Sequence, residues 1–220
     1  MKKIFASLML LSLLFLAQGT ARAEGPQILI TWSTDGYVPA GYPGKILPVN
    51  GSHIKTRVGA LTGNNFLDLS KEEIVWYVNG VPIKNGVGAQ AAEFDVSTLT
   101  QSSLEIKVQL VSLPGGPYSK TIQVPIAQPE AVAEFRSPGG KITGNNIFLT
   151  ALPFFFRVRS ATELNFSWRV NGDTPVNLTD PQHLNVKSSS GFTSGSEIQI
   201  YLNVNKGNES ASQTKILMAP

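Results

Sequence analysis

The phrase WYVNG at positions 76–80 returns as WRVNG at positions 168–172. A chain of 220 residues that repeats a tryptophan-to-turn phrase in this way is constrained to fold as two similar units in tandem. A second echo agrees. Glu105, which opens EIKVQL, follows Trp76 at the same separation at which Glu197, which opens EIQIYL, follows Trp168.

Each echoed segment has the period of two that belongs to a strand with one face on a core. Leu164, Phe166, Trp168 and Val170 alternate with Asn165, Ser167 and Arg169. In the first copy Ile74, Trp76 and Val78 point one way, which leaves Val75 and Tyr77 on the opposite face. The later strands alternate in the same manner, Leu104, Ile106, Val108 and Leu110 in one and Ile198, Ile200, Leu202 and Val204 in the other. The closing Asn-Gly of each phrase tolerates positive φ and predicts a tight turn after the strand.

Further strands are expected at 28–32, 54–58, 92–96, 120–124, 131–135, 147–151, 183–186 and 214–217, with Gly, Pro, Asn and Ser between them. From Glu24 onward no stretch has helical periodicity. Many short strands at regular spacing imply an all-β fold, two antiparallel sandwiches of about seven strands each. PIAQPE, at 125–130, reads as the hinge between them and predicts an elongated rod with limited bending. TGNN, at 62–65 and again at 143–146, does not share the spacing of the two tryptophans and reads as coincidental turn chemistry.

The segment 1–23 reads as an export signal. Lys2 and Lys3 precede an apolar run from Ile4 to Ala17, and Ala21-Arg22-Ala23 supplies the small-x-small pattern of a cleavage site. The run falls short of the roughly 20 residues a spanning helix needs, so a membrane would be met only through an uncleaved signal. The expected organisation is a signal peptide over 1–23, a first sandwich over 24–126 and a second over 127–220.

Of the 18 Lys and Arg, three precede Glu24, so the exported part carries 15 basic against 15 acidic residues. A neutral chain lacks the cationic surplus with which proteins displace phosphate counterions, and nucleic acid is not an expected partner. The absence of cysteine excludes thiol nucleophiles, thiolate metal sites and disulfides. Each unit must therefore be held by core burial alone.

The segments FSWRVNG (166–172), IVWYVNG (74–80), EIKVQL and EIQIYL resemble the Ig-like and PKD-like modules strung along bacterial exported proteins. The resemblance spans nearly the whole exported part and rests on packing and turn motifs. It implies Ig-like sandwiches and a role in adhesion, spacing or assembly at a cell surface.

Residues suited to catalysis are sparse. His53 shares a polar strand face with Lys55 and Arg57, His183 follows the turn Asp180-Pro181, and neither comes with the pattern of a serine triad. Glu72 and Glu73 read as a charged, exposed start to the Trp76 strand. The oxygen-rich loops around Asp173, Asn177 and Asp180, and around Asn205, Asn208 and Glu209, match no calcium signature. The expectation is a protein without enzymatic activity, cofactor or metal.

Binding is the better prospect. Phe154, Phe155 and Phe156 are consecutive, so a strand must turn at least one ring away from its own core. That ring either fills the contact between units or forms an aromatic patch for a partner, with Arg157 and Arg159 as its polar rim. Val75 and Tyr77 form a second candidate patch. The loop over 34–48 carries Tyr37 and Tyr42 and reads as a binding loop or as a strand that changes sheets. The expected partner is an envelope or extracellular protein. The alternative is a glycan, which would need Tyr37, Tyr42 and Tyr77 in one flat row.

Overall fold

The computed structural model describes residues 25–97, 101–136, 145–175, 178–188 and 191–219. The segment expected to be the export signal lies outside them. The first unit contains β1 (Gln27–Thr34), β2 (His53–Thr62), β3 (Asn65–Phe66), β4 (Glu73–Val78), β5 (Val81–Val87), β6 (Ala91–Asp95), β7 (Ser103–Leu110) and β8 (Tyr118–Pro125). The second contains β9 (Glu130–Phe135), β10 (Asn146–Phe154), β11 (Asn165–Val170), β12 (His183–Lys187), β13 (Glu197–Lys206) and β14 (Glu209–Met218).

All pairings are antiparallel. In the first unit β2 lies between β1 and the pair β3 and β6, and the facing sheet runs β5-β4-β7-β8. In the second, β12-β10-β9 faces β11-β13-β14. Each pair of sheets closes over its own core. Ile54, Ile74, Trp76, Ile106, Val108 and Leu110 anchor the first. Ile147, Leu149, Trp168, Leu184, Ile200 and Leu202 anchor the second.

The repeated phrase has one physical explanation in both copies. Trp76 and Trp168 are buried, the first on an inner strand of its sheet and the second on the edge strand β11, and each has a single polar atom to satisfy. The Trp76 indole N–H donates to the Ala89 carbonyl at 2.8 Å, and that of Trp168 donates to the Pro181 carbonyl at 2.9 Å, in both cases 13 residues downstream. The following turns adopt positive φ at Asn79 and Gly80 (50° and 78°) and at Asn171 and Gly172 (50° and 92°). The asparagine does more than tolerate this conformation. Its Oδ1 accepts the backbone N–H of Glu105 in one unit, at 2.9 Å, and of Gln199 in the other, at 2.8 Å. The turn is thereby tied to the neighbouring strand.

These bonds correct the second echo. Glu105 is equivalent in space to Gln199 and not to Glu197, because Trp76 pairs with Val108 while Trp168 pairs with Leu202. A shift of two leaves inward residues inward. The outer faces repeat a feature with its partners exchanged. Lys107 on β7 lies over the Tyr77 ring of β4 at 5.5 Å, and Arg169 on β11 lies over the Tyr201 ring of β13 at 5.9 Å.

Two open flanks are capped by side chains. Gln213 and Lys215 of β14 reach across to β9, where Gln213 Oε1 accepts the Ala133 N–H at 2.6 Å and Lys215 Nζ donates to the Ala133 carbonyl at 3.1 Å. Lys84 of β5 likewise donates to the Ala91 carbonyl of β6 at 2.7 Å. The glutamate pair splits. Glu73 is exposed as expected, but Glu72 is buried and its carboxylate accepts the Ser112 N–H, holding the β7–β8 loop.

Candidate functional site

The nine residues expected to bind a partner do not form one surface. Six of them, Tyr37, Tyr42, Phe154, Phe155, Phe156 and Arg157, come together where the two units meet. The loop after β1 does not change sheets. It runs along the second unit as a strap, and its one strand-like contact is an isolated bridge between Tyr37 and Phe156. Tyr37 N–H donates to the Phe156 carbonyl at 2.8 Å, and Phe155 N–H donates to the Tyr37 carbonyl at 2.7 Å. Further along, Ala127 N–H donates to the Pro48 carbonyl at 2.8 Å, which ties the start of the linker to the same strap.

Three consecutive phenylalanines divide their work between one core and this contact. Phe156 is fully buried and belongs to the second core, against which the Tyr37 ring also packs. Phe155 is 7% exposed and takes φ 61°, the left-handed region that a bulky side chain rarely enters. This conformation lets consecutive rings avoid the alternation of a regular strand. Phe154 and Phe155 both meet Tyr42 edge-on, with centroids 5.8 Å and 5.9 Å apart. The expectation of a free aromatic patch is therefore corrected. Phe155 and Phe156 are withdrawn from solvent because the chain uses them internally.

Arg157 is a strut between units and not the rim of a patch. Its backbone N–H donates to Glu209 Oε2 at 2.9 Å and its Nε to Glu209 Oε1, while Nη1 crosses to the Gly51 carbonyl of the first unit at 3.0 Å. Glu209 belongs to one of the oxygen-rich loops, but its carboxylate is taken up by this arginine. Arg159 remains exposed beside the strut. It lines an open cleft of about 800 Å³ with Asp35, Gly36, Arg157, Val158 and Glu163. The cleft walls hold two cations and two carboxylates and favour no ligand charge.

Val75 and Tyr77 lie apart from the junction, half-buried on the outer face of β4. Tyr77 is covered by Lys107, and its hydroxyl donates to Gln109 Oε1 at 3.4 Å. Tyr37 and Tyr42 belong to the junction, so the three tyrosines do not make the flat row a glycan would need. Among the described residues no group of three or more His, Asp or Glu side chains is arranged to hold a metal ion. Asn177 lies outside those residues.

No local pattern in the chain announces the acids around His53. β2 pairs with β6, which sets His53 opposite Asp95. His53 Nδ1 lies 2.7 Å from Asp95 Oδ1 and Nε2 lies 3.2 Å from Glu93 Oε2. Its backbone N–H donates to Asp35 Oδ1 at 2.8 Å, at the root of the strap. The hydrogen bonds to Asp95 and then Glu93 hold the imidazole above its ordinary pKa. A folded pKa above the unfolded value means stability that is full below about pH 6.5 and is lost as pH rises through the folded pKa. We therefore expect the wild-type unfolding midpoint to exceed that of His53→Asn most near pH 6 and to converge on it in mildly alkaline buffer. A gap that does not change with pH would refute the pairing.

No protein-family profile matches the chain, and no curated protein matches it significantly. Among solved structures it is similar to three N-terminal domains of the bacteriophage RB49 Highly Immunogenic Outer Capsid protein, at 13% identity over 88% of this chain and 59% of that one, TM-score 0.45. It is also similar to fibronectin(III)-like modules of Clostridium thermocellum CbhA, at 12% identity over 87% and 94% of the two chains, TM-score 0.29. A third similarity is to the N-terminal Ig1-2 module of the Drosophila receptor protein tyrosine phosphatase DLAR, at 10% identity over 90% and 100%, TM-score 0.28. Similarities at this level concern the fold alone. With its two cores and antiparallel strand order, the chain is an all-β protein of two tandem Ig-like sandwiches.

Proposed function

We propose that this is an exported, non-catalytic interaction module, a two-unit spacer that presents its surfaces at a set angle to a protein partner at the cell envelope. The observation that carries this reading is the junction. A strap from the first unit is hydrogen-bonded along the second, three aromatic rings fill the contact and Arg157 braces both sides. A chain whose units moved independently would have no use for so many bonds between them. The histidines favour a non-catalytic role. His53 is held between two carboxylates, and His183 sits 3.1 Å from Thr150 Oγ1 and 3.6 Å from Asp180 Oδ2. The apolar run before Ala21-Arg22-Ala23 supports export.

The test is a cross-linked pull-down of the tagged protein from its native envelope, read by mass spectrometry. One foreign protein recovered in stoichiometric amounts supports the reading. Retention on wall glycan with no protein attached would replace it with carbohydrate binding. Bait free in the medium and alone would remove it.

A further inference from the structure

A basic and apolar face lies on the outer side of the first unit. Gly59 stands opposite Leu29 of β1, and a side chain added at Gly59 would meet only the Phe66 ring, at 3.8 Å. The floor of the sheet is thus bare between Leu29, 37% exposed, and Phe66, 75% exposed. Arg57 is two residues along β2 on the same face, about 7 Å from Gly59. Its cross-strand neighbours, Thr31 and Ala91, carry no charge. Lys55 follows, opposite Glu93, whose carboxylate is turned to His53.

The second unit carries a face of opposite sign. Ile216 and Met218, each 59% exposed, are alternate residues on the outer side of β14, and Glu197 of β13 stands directly opposite Met218. Glu197 forms no ion pair among the described residues. Each face therefore sets charge free of an ion pair among the described residues, Arg57 and Lys55 on the first and Glu197 on the second, beside two exposed apolar side chains. Strand direction sets the two faces at opposite ends of the molecule. β1 runs toward the junction and β2 away from it, so Leu29, Gly59 and Phe66 lie toward the outer end of the first unit. β13 begins, and β14 ends, at the outer end of the second.

We propose that the occupant of the first face is a second copy of this chain, with Arg57 paired to Glu197 and Ile216 and Met218 seated on Gly59 between Leu29 and Phe66. A contact between unlike patches at opposite ends is heterologous and leaves one patch of each kind free in a dimer, so copies add head to tail beyond it. Charge complementarity supports this choice of occupant. The patches are small beside a standard interface, which implies a dissociation constant on the order of 0.1 mM and sensitivity to salt.

The test is sedimentation of the purified protein over a concentration series to about 1 mM, in the range of that expected constant. The expected result is a weight-average mass that climbs past the dimer and falls as sodium chloride is raised. Arg57→Glu and Glu197→Arg should each hold the protein at monomer mass, and the double variant should restore growth. Both positions are on the surface, so circular dichroism of each variant should match wild type. Monomer at every concentration overturns the proposal, as does failure of the double variant to recover. Growth that stops at the dimer also overturns it, because that would indicate the same-end patch of Val87 and Val111 around Glu73.

Discussion

Trp168→Ala is expected to unfold the second unit and leave the first folded. Truncating a large buried aromatic costs about 3–5 kcal/mol, against about 5–15 kcal/mol for a whole domain. The substitution also leaves the Pro181 carbonyl without its donor. The same change at Trp76 should act on the first unit, since the indole there does the same work for Ala89. Fluorescence separates the two cases. The protein's other tryptophans, Trp32 and Trp76, both belong to the first unit, so the emission of Trp168→Ala reports that unit alone. We expect this emission to keep a cooperative urea transition while the amide spectrum loses the resonances of 130–219. Trp168→Phe, which keeps most of the volume and loses the donor, should be markedly milder. A Trp168→Ala protein that melts as wild type does would refute the assignment of the second core.

The second large effect is expected at Phe155. Its left-handed backbone costs about 1–3 kcal/mol, which glycine would recover. Its buried ring, with Tyr42 and Phe154 against it, is worth about 3–5 kcal/mol by the usual cost of truncation. The ring wins. Phe155→Gly should therefore lose about 2 kcal/mol of the stability that couples the units, the difference between the middles of those two ranges. Phe155→Asn, which also accepts positive φ, should behave alike. Small-angle scattering should then show a broader distribution of distances in both variants, while the two cores keep their own melting transitions. If Phe155→Gly proves more stable than wild type with an unchanged scattering profile, the ring has no part in the junction.

How much of this was legible in the sequence depended on whether a residue's role is local. The Trp, Asn and Gly of the repeated phrase, and the alternating rows of β4, β7, β11 and β13, state their roles within a short stretch of chain. β5 escaped notice because VPIKNGV is an exposed edge with Pro82 and Gly86 in it, and an edge with little buried surface shows no alternation. The echo between Glu105 and Glu197 misled by two positions, because a period-two pattern looks the same after a shift of two. Glu72 read as exposed because its bond partner, Ser112, is 40 residues away. The phenylalanine run signalled a conflict with the strand pattern and left two outcomes open. The Tyr37 carbonyl and the Gly51 carbonyl, which decide between them at the junction, are backbone atoms that no side-chain pattern announces.

A tandem of sister units has a hazard of its own, which is that a strand of one can take its twin's seat during folding. The flank of β9 bears on this. Gln213 and Lys215, which clasp Ala133, correspond in register to Lys120 and Ile122 of the first unit, so the two units do not offer the same welcome to an incoming first strand. Two side chains that look like minor trim on a sheet edge thus make the two halves unlike where a first strand docks, and a strand seated on its twin's sheet would miss the clasp that Ala133 receives.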